Sequence, residues 1–172
     1  MKEISKFFLV LSGIGYLACL MVHLFATVGT QADIRPLMNY LAPGLIVVWV
    51  PMIIILNMTT SNWNMKRGDL WKAILADCPS WMTKFLYGSA IYTAINFFLM
   101  MIESNHSGGS GGTSNIRGIS GHLLVFYAVA VVSFTAAYRH VESKCSNGHP
   151  ASPLAKFCEE CGAAVGKDVV AS

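Results

Sequence analysis

Phe7–Thr30 reads FFLVLSGIGYLACLMVHLFATVGT, 24 residues without an Asp, Glu, Lys or Arg. At about 1.5 Å per residue, a helix of that length reaches roughly 36 Å, enough to cross the hydrocarbon core of a bilayer. The run follows a basic stub, Met1–Lys6, as the core of a signal peptide does. It is longer than the roughly 7–15 residues of such a core, and no A-x-A cleavage pattern follows it. The run is therefore read as a retained transmembrane helix.

Three further runs repeat the pattern. Leu37–Met58 is uncharged and carries Pro43 near its start and Pro51 inside. A spanning helix tolerates proline where neighbours satisfy the freed carbonyl. Phe85–Ile102 has 18 residues and stops at Glu103; Ile119–Tyr138 has 20 and stops at Arg139. Only 12% of the chain is charged, against about 25% in a soluble domain. The charges gather between the runs. An all-α membrane protein is expected: a four-helix transmembrane bundle over residues 1–140, with spans near 7–30, 37–58, 85–102 and 119–138, and a tail over 141–172. The lipid bilayer is its first partner. The net charge of +3 is too small to call for nucleic acid.

The connections differ in kind. Residues 61–84 carry Trp63, Trp71 and Trp81. Leu70, Trp71, Ile74 and Leu75 share one face of a helix, and Lys66, Arg67 and Lys72 can reach phosphate head groups. This spacing predicts a short amphipathic helix, ended by Pro79, within an interfacial segment over about 63–81. Gly108-Gly109-Ser110-Gly111-Gly112 has the composition of a flexible linker. It lacks the Gly-Lys-Ser/Thr ending of a phosphate loop.

Four spans put both termini on one side. That side holds Lys2, Lys6, Lys66, Arg67, Lys72, Lys84, Arg139, Lys144, Lys156 and Lys167, and the other holds Arg35 and Arg117. Ten against two predicts cytoplasmic termini under the positive-inside rule. A reducing compartment also keeps thiols available for metal.

The tail contains CSNGHPASPLAKFCEECG, residues 145–162. Two ligand pairs stand out, Cys145-x3-His149 and Cys158-x2-Cys161. Thiolate sulfur and imidazole nitrogen suit tetrahedral Zn2+. Gly148 and Gly162 offer the backbone freedom that tight ligand turns need. Phe157 is expected to plug a miniature core. So short a segment cannot fold on buried area alone, and the metal supplies folding energy.

On Gly148-His149, Lys156-Phe157-Cys158 and Cys161-Gly162, the tail resembles the short zinc-ribbon domains found at the ends of bacterial membrane and regulatory proteins. The likeness covers about 20 residues. Its first half departs from the commoner Cys-x2-Cys by using Cys-x3-His, and His140 is the other candidate for the fourth ligand. The resemblance implies a closed structural site, a protein-binding or nucleic-acid-binding module, and a bacterial cytoplasmic membrane. Glu159 and Glu160 argue against nucleic acid.

Inside the spans the polar residues of interest are His23, Asn96 and His122. His23 lies roughly 24 Å along the first helix and His122 near the outer end of the fourth, at similar depth. Two such histidines could clamp a b-type haem or hold a quinone. Hydrogen bonding between helices is the simpler reading, for Asn96 as well. No G-x-S-x-G, H-E-x-x-H, Walker sequence or intramembrane carboxylate pair is present. The uncharged spans also weaken an ion-coupled transporter. The leading expectation is a non-enzymatic membrane adaptor or assembly protein with a cytoplasmic ribbon for a protein partner. The alternatives are a redox subunit using His23 and His122, and a small channel or transporter built as a homo-oligomer.

Overall fold

The computed structural model describes residues 2–29, 35–60, 67–76, 78–107, 112–139, 145–149, 151 and 155–165. Five helices form: α1 (Lys2–Val28), α2 (Arg35–Thr60), α3 (Arg67–Ala76), α4 (Ser80–Ser107) and α5 (Gly112–Arg139). Within the four long ones, Lys2–Val28, Pro36–Met58, Ser80–Ile102 and Ile116–Arg139 are long and apolar enough to cross a membrane. The fold is an all-α membrane bundle, with no strand among the described residues.

The faces of α1 show what solvent the bundle is built for. Phe7, Val10, Ile14, Leu17, Met21, Leu24 and Val28 recur every three or four residues and are exposed. The opposite stripe, Ser5, Ser12, Cys19, Val22, His23 and Ala26, is buried. The inner face is thus smaller and more polar than the outer. In water that pattern would be inverted. In lipid, large apolar side chains lose nothing by facing outward, and small residues let helices approach.

α5 is the axis of the bundle and packs against each of the other four helices. In its most apolar stretch 67% of residues are buried, against 17–22% in the other spans. Ser120, Ala128, Ala130, Ser133, Thr135 and Ala136 keep it thin. Tyr127 is its widest inward anchor. Its ring lies against Gly15 of α1 and its hydroxyl close to Gly44 of α2. The hydroxyl also donates to the Leu41 carbonyl at 2.9 Å. A β-carbon on Gly15 would stand 2.8 Å from ring atoms Cδ1 and Cζ and nearer still to Cε1. Glycine there is what lets α1, α2 and α5 share one contact. Pro43 and Pro51 lie within α2, which continues through both.

The amphipathic segment forms ten residues of helix. α3 packs on α5, with Ala73 and Ile74 buried and Trp71 and Lys72 exposed. The expected face centred on Trp71 and Ile74 is therefore split. Small Ala73, not Trp71, takes the inner position, which brings the two helices close. Trp81 is exposed on α4. Trp63, Lys66 and the side chain of Arg67 lie outside the described residues.

Candidate metal centre and buried polar cluster

Each ligand pair of the tail sits on its own tight turn. In the first, Gly148 N–H donates to the Cys145 carbonyl at 2.8 Å and Cys145 N–H to the His149 carbonyl at 3.0 Å. In the second, Gly162 N–H donates to the Cys158 carbonyl at 2.8 Å and Cys158 N–H to the Ala163 carbonyl at 2.7 Å. Gly148 and Gly162 have φ of 84° and 70°, left-handed values that a β-carbon would oppose. A single antiparallel bridge from Phe157 to Ala164 closes the second turn, and one from Cys145 to Val165 joins the first turn to it.

This backbone brings one atom each of Cys145, His149, Cys158 and Cys161 within 4.8 Å of one another. Cys145 Sγ is 3.6 Å from Cys161 Sγ, and Cys158 Sγ is 3.9 Å from His149 Nδ1. Metal–sulfur bonds of about 2.3 Å and metal–nitrogen bonds of about 2.0 Å give a tetrahedron with edges of roughly 3.5–3.8 Å. The four residues can therefore hold a metal ion with little rearrangement. All four thiol and imidazole groups belong to the tail, and its three cysteines are free thiols. His140 lies outside the described residues.

Local electrostatics act on the two cysteines of the second pair in opposite directions. The Cys161 thiol is pulled down to about 6, first by the Ala163 backbone N–H and then by His149. At Cys158 the Cys161 backbone N–H pulls the thiol down, but burial and the neighbouring sulfurs push it up, and the net direction is upward. Glu160 Oε2 lies 3.7 Å from His149 Nδ1 and adds negative charge beside the site.

Phe157 does not plug a core. It is 64% exposed. Adjacent residues of an extended segment point to opposite faces, and Cys158 takes the inward one, where it is buried. The cluster of Cys145, His149, Cys158 and Cys161, not an aromatic side chain, forms the centre of this unit.

The second polar feature is buried between α1, α4 and α5. His23 has no exposed surface. Its Nδ1 lies 3.0 Å from Ser120 Oγ and its Nε2 2.7 Å from the Tyr92 hydroxyl. The Ser120 hydroxyl donates to the Arg117 carbonyl at 3.1 Å. It therefore accepts from His23 Nδ1–H, which leaves Nε2 to accept from Tyr92. Cys19 Sγ donates to the Ser120 carbonyl at 3.1 Å, and Thr93 to the Gly121 carbonyl at 3.0 Å. Arg117 Nε donates to Asn96 Oδ1 at 3.0 Å. That bond fixes the amide and turns Asn96 Nδ2 towards Gly121, where it has no hydrogen-bond partner.

His122 engages different groups. Its Nδ1–H donates to the Gly118 carbonyl of its own helix at 2.8 Å, and its ring meets Phe97 edge-on. Iron ligation through His23 Nε2 would require Tyr92 to leave.

The chain matches no protein-family model, no curated protein and no solved structure.

Sequence reasoning names His23, Asn96 and His122 but misses Tyr92, Arg117 and Ser120. It treats Arg117 as a loop residue, whereas α5 begins at Gly112 and carries Arg117 within its candidate span. The available signal is helical spacing. Cys19 with His23, Tyr92 with Asn96, and Arg117 with Ser120 and Gly121 are three or four residues apart, so each set shares a helix face.

Proposed function

We propose that this protein is a non-enzymatic membrane adaptor or assembly factor whose tail folds round one structural Zn2+ and offers a surface to a cytoplasmic protein partner. The single supporting observation is the closed set of four ligand atoms within 4.8 Å. Three soft thiolate sulfurs and one imidazole nitrogen make a donor set that suits zinc. Four protein ligands complete a tetrahedron and leave no position for a catalytic water. The ion then serves folding, and the chemistry of the site is recognition. The charge asymmetry between the loops supports a cytoplasmic placement of the tail.

Protein purified in mild detergent should carry one Zn2+ per chain and no Soret band. Cys161→Ser should lose the metal while helical content stays, because the backbone hydrogen bonds of spanning helices are internal. A photoreactive residue placed at Asn147 should capture a defined protein in cells, and Cys161→Ser should abolish the adduct. A Soret band, or a zinc-loaded tail that captures nothing, would overturn the adaptor reading.

A further inference from the structure

The hairpin carrying the second ligand pair has two unlike faces. Cys158 turns inward to the other ligands, while Lys156 and Phe157 are exposed. Phe157 is bridged to Ala164 in antiparallel register. Residues directly opposed in such a pair project to the same face, and Ala164 is exposed as well. The side away from the thiols thus offers a phenyl ring and a methyl group, and Lys156 beside the ring is exposed at a bend in the chain, where strict alternation of side chains does not hold. Leaving a ring in water forgoes most of the favourable transfer its area could give.

The tether says what covers it. α5 and its apolar stretch both end at Arg139, so the chain leaves the hydrocarbon region there. Only residues 140–144 separate that point from Cys145, and the six steps from Arg139 to Cys145 reach at most about 22 Å when extended. The unit is held beside the membrane at all times, so the lipid surface is present at a high effective concentration. An aromatic ring flanked by lysine matches that surface: the ring enters the acyl boundary and the ammonium meets phosphate. Glu159 and Glu160 occupy the knuckle turn. Their charge disfavours approach to anionic lipid by that tip, so the Phe157 edge leads.

We propose that the tail docks on the headgroup region of the membrane its own bundle spans, through Phe157, Ala164 and Lys156. The inference rests on the metal-folded tail proposed above. The acidic knuckle tip then remains in water for a protein partner.

The test uses the full chain with Phe157→p-benzoylphenylalanine, reconstituted in phosphatidylcholine–phosphatidylglycerol vesicles, with zinc measured on the same sample. Ultraviolet light should add the mass of one phospholipid to the peptide containing position 157. Adding Lys156→Glu should lower the lipid adduct several-fold. Adducts to α3 or to a second copy in place of lipid, or no adduct in zinc-loaded protein, would overturn the docking inference and leave the metal centre standing. Absence of zinc from the unsubstituted protein would instead overturn the metal centre, and docking with it.

Discussion

Gly15→Ala tests the packing at the bundle axis. The added β-carbon would meet Tyr127 Cδ1 and Cζ at 2.8 Å, whereas carbon–carbon contacts settle near about 3.5–4.0 Å. The deficit approaches ~1 Å. The ring has no easy retreat, since its hydroxyl is tied to the Leu41 carbonyl at 2.9 Å and stands 3.1 Å from where a β-carbon on Gly44 would be. Overpacking of this kind costs about 1–3 kcal/mol. Tyr127→Leu removes the ring and its hydroxyl, and with them a hydrogen bond worth about 1 kcal/mol and some packing. In that background Gly15→Ala should cost less than about 0.5 kcal/mol, because the atoms it struck are gone. The two changes should therefore be strongly non-additive, with the double variant more stable than the sum of the singles. Reversible unfolding in bicelles, followed by helical circular dichroism, measures all four corners of the cycle. Additive costs would mean that Tyr127 does not lie between α1 and α2, and the axis described above would be wrong.

His23→Leu should destabilise the bundle by about 1–2 kcal/mol in the same unfolding assay, since two interhelical hydrogen bonds in a membrane are worth about 0.6 kcal/mol each on average and the shape change adds to that; no effect would show that the Tyr92 and Ser120 contacts contribute nothing. Zinc titrated into metal-free protein should displace a proton from Cys158 at pH 7, because that thiol is held upward, and none from Cys161, already mostly thiolate with its value near 6. Below pH 6 Cys161 also carries a proton, so calorimetry in buffers of different ionisation enthalpy should count about 0.8 more proton released from this thiol at pH 5 than at pH 7. Reporter fusions after Lys84 and after Ser172 should both be active as cytoplasmic reporters, and a signal from the opposite side at the C-terminal fusion would sink the orientation argued from the charges.

The amino-acid sequence by itself determined the membrane class, the four long apolar helices and the four tail residues that cluster as a candidate metal site. These rest on local physics. A bilayer has no water to satisfy a peptide group, so an uncharged run of about 20 residues has little choice but helix. Two short ligand pairs, each on a turn with glycine, are legible because their spacing is set within a few residues. Tertiary structure alone decided which helix is central. Lipid-facing and helix-facing positions are both apolar, so the contrast that marks a core in water is weak here, and the thinness of α5 acquires meaning only against its neighbours. The same holds for His23, whose partners Tyr92 and Ser120 are 69 and 97 residues away along the chain. Phe157 went the other way: its sequence position beside Cys158 suggested a plug, but alternation of side chains about the bridge to Ala164 gave the inward place to the thiol. One buried direction was available to two neighbouring residues, and the ligand set took it.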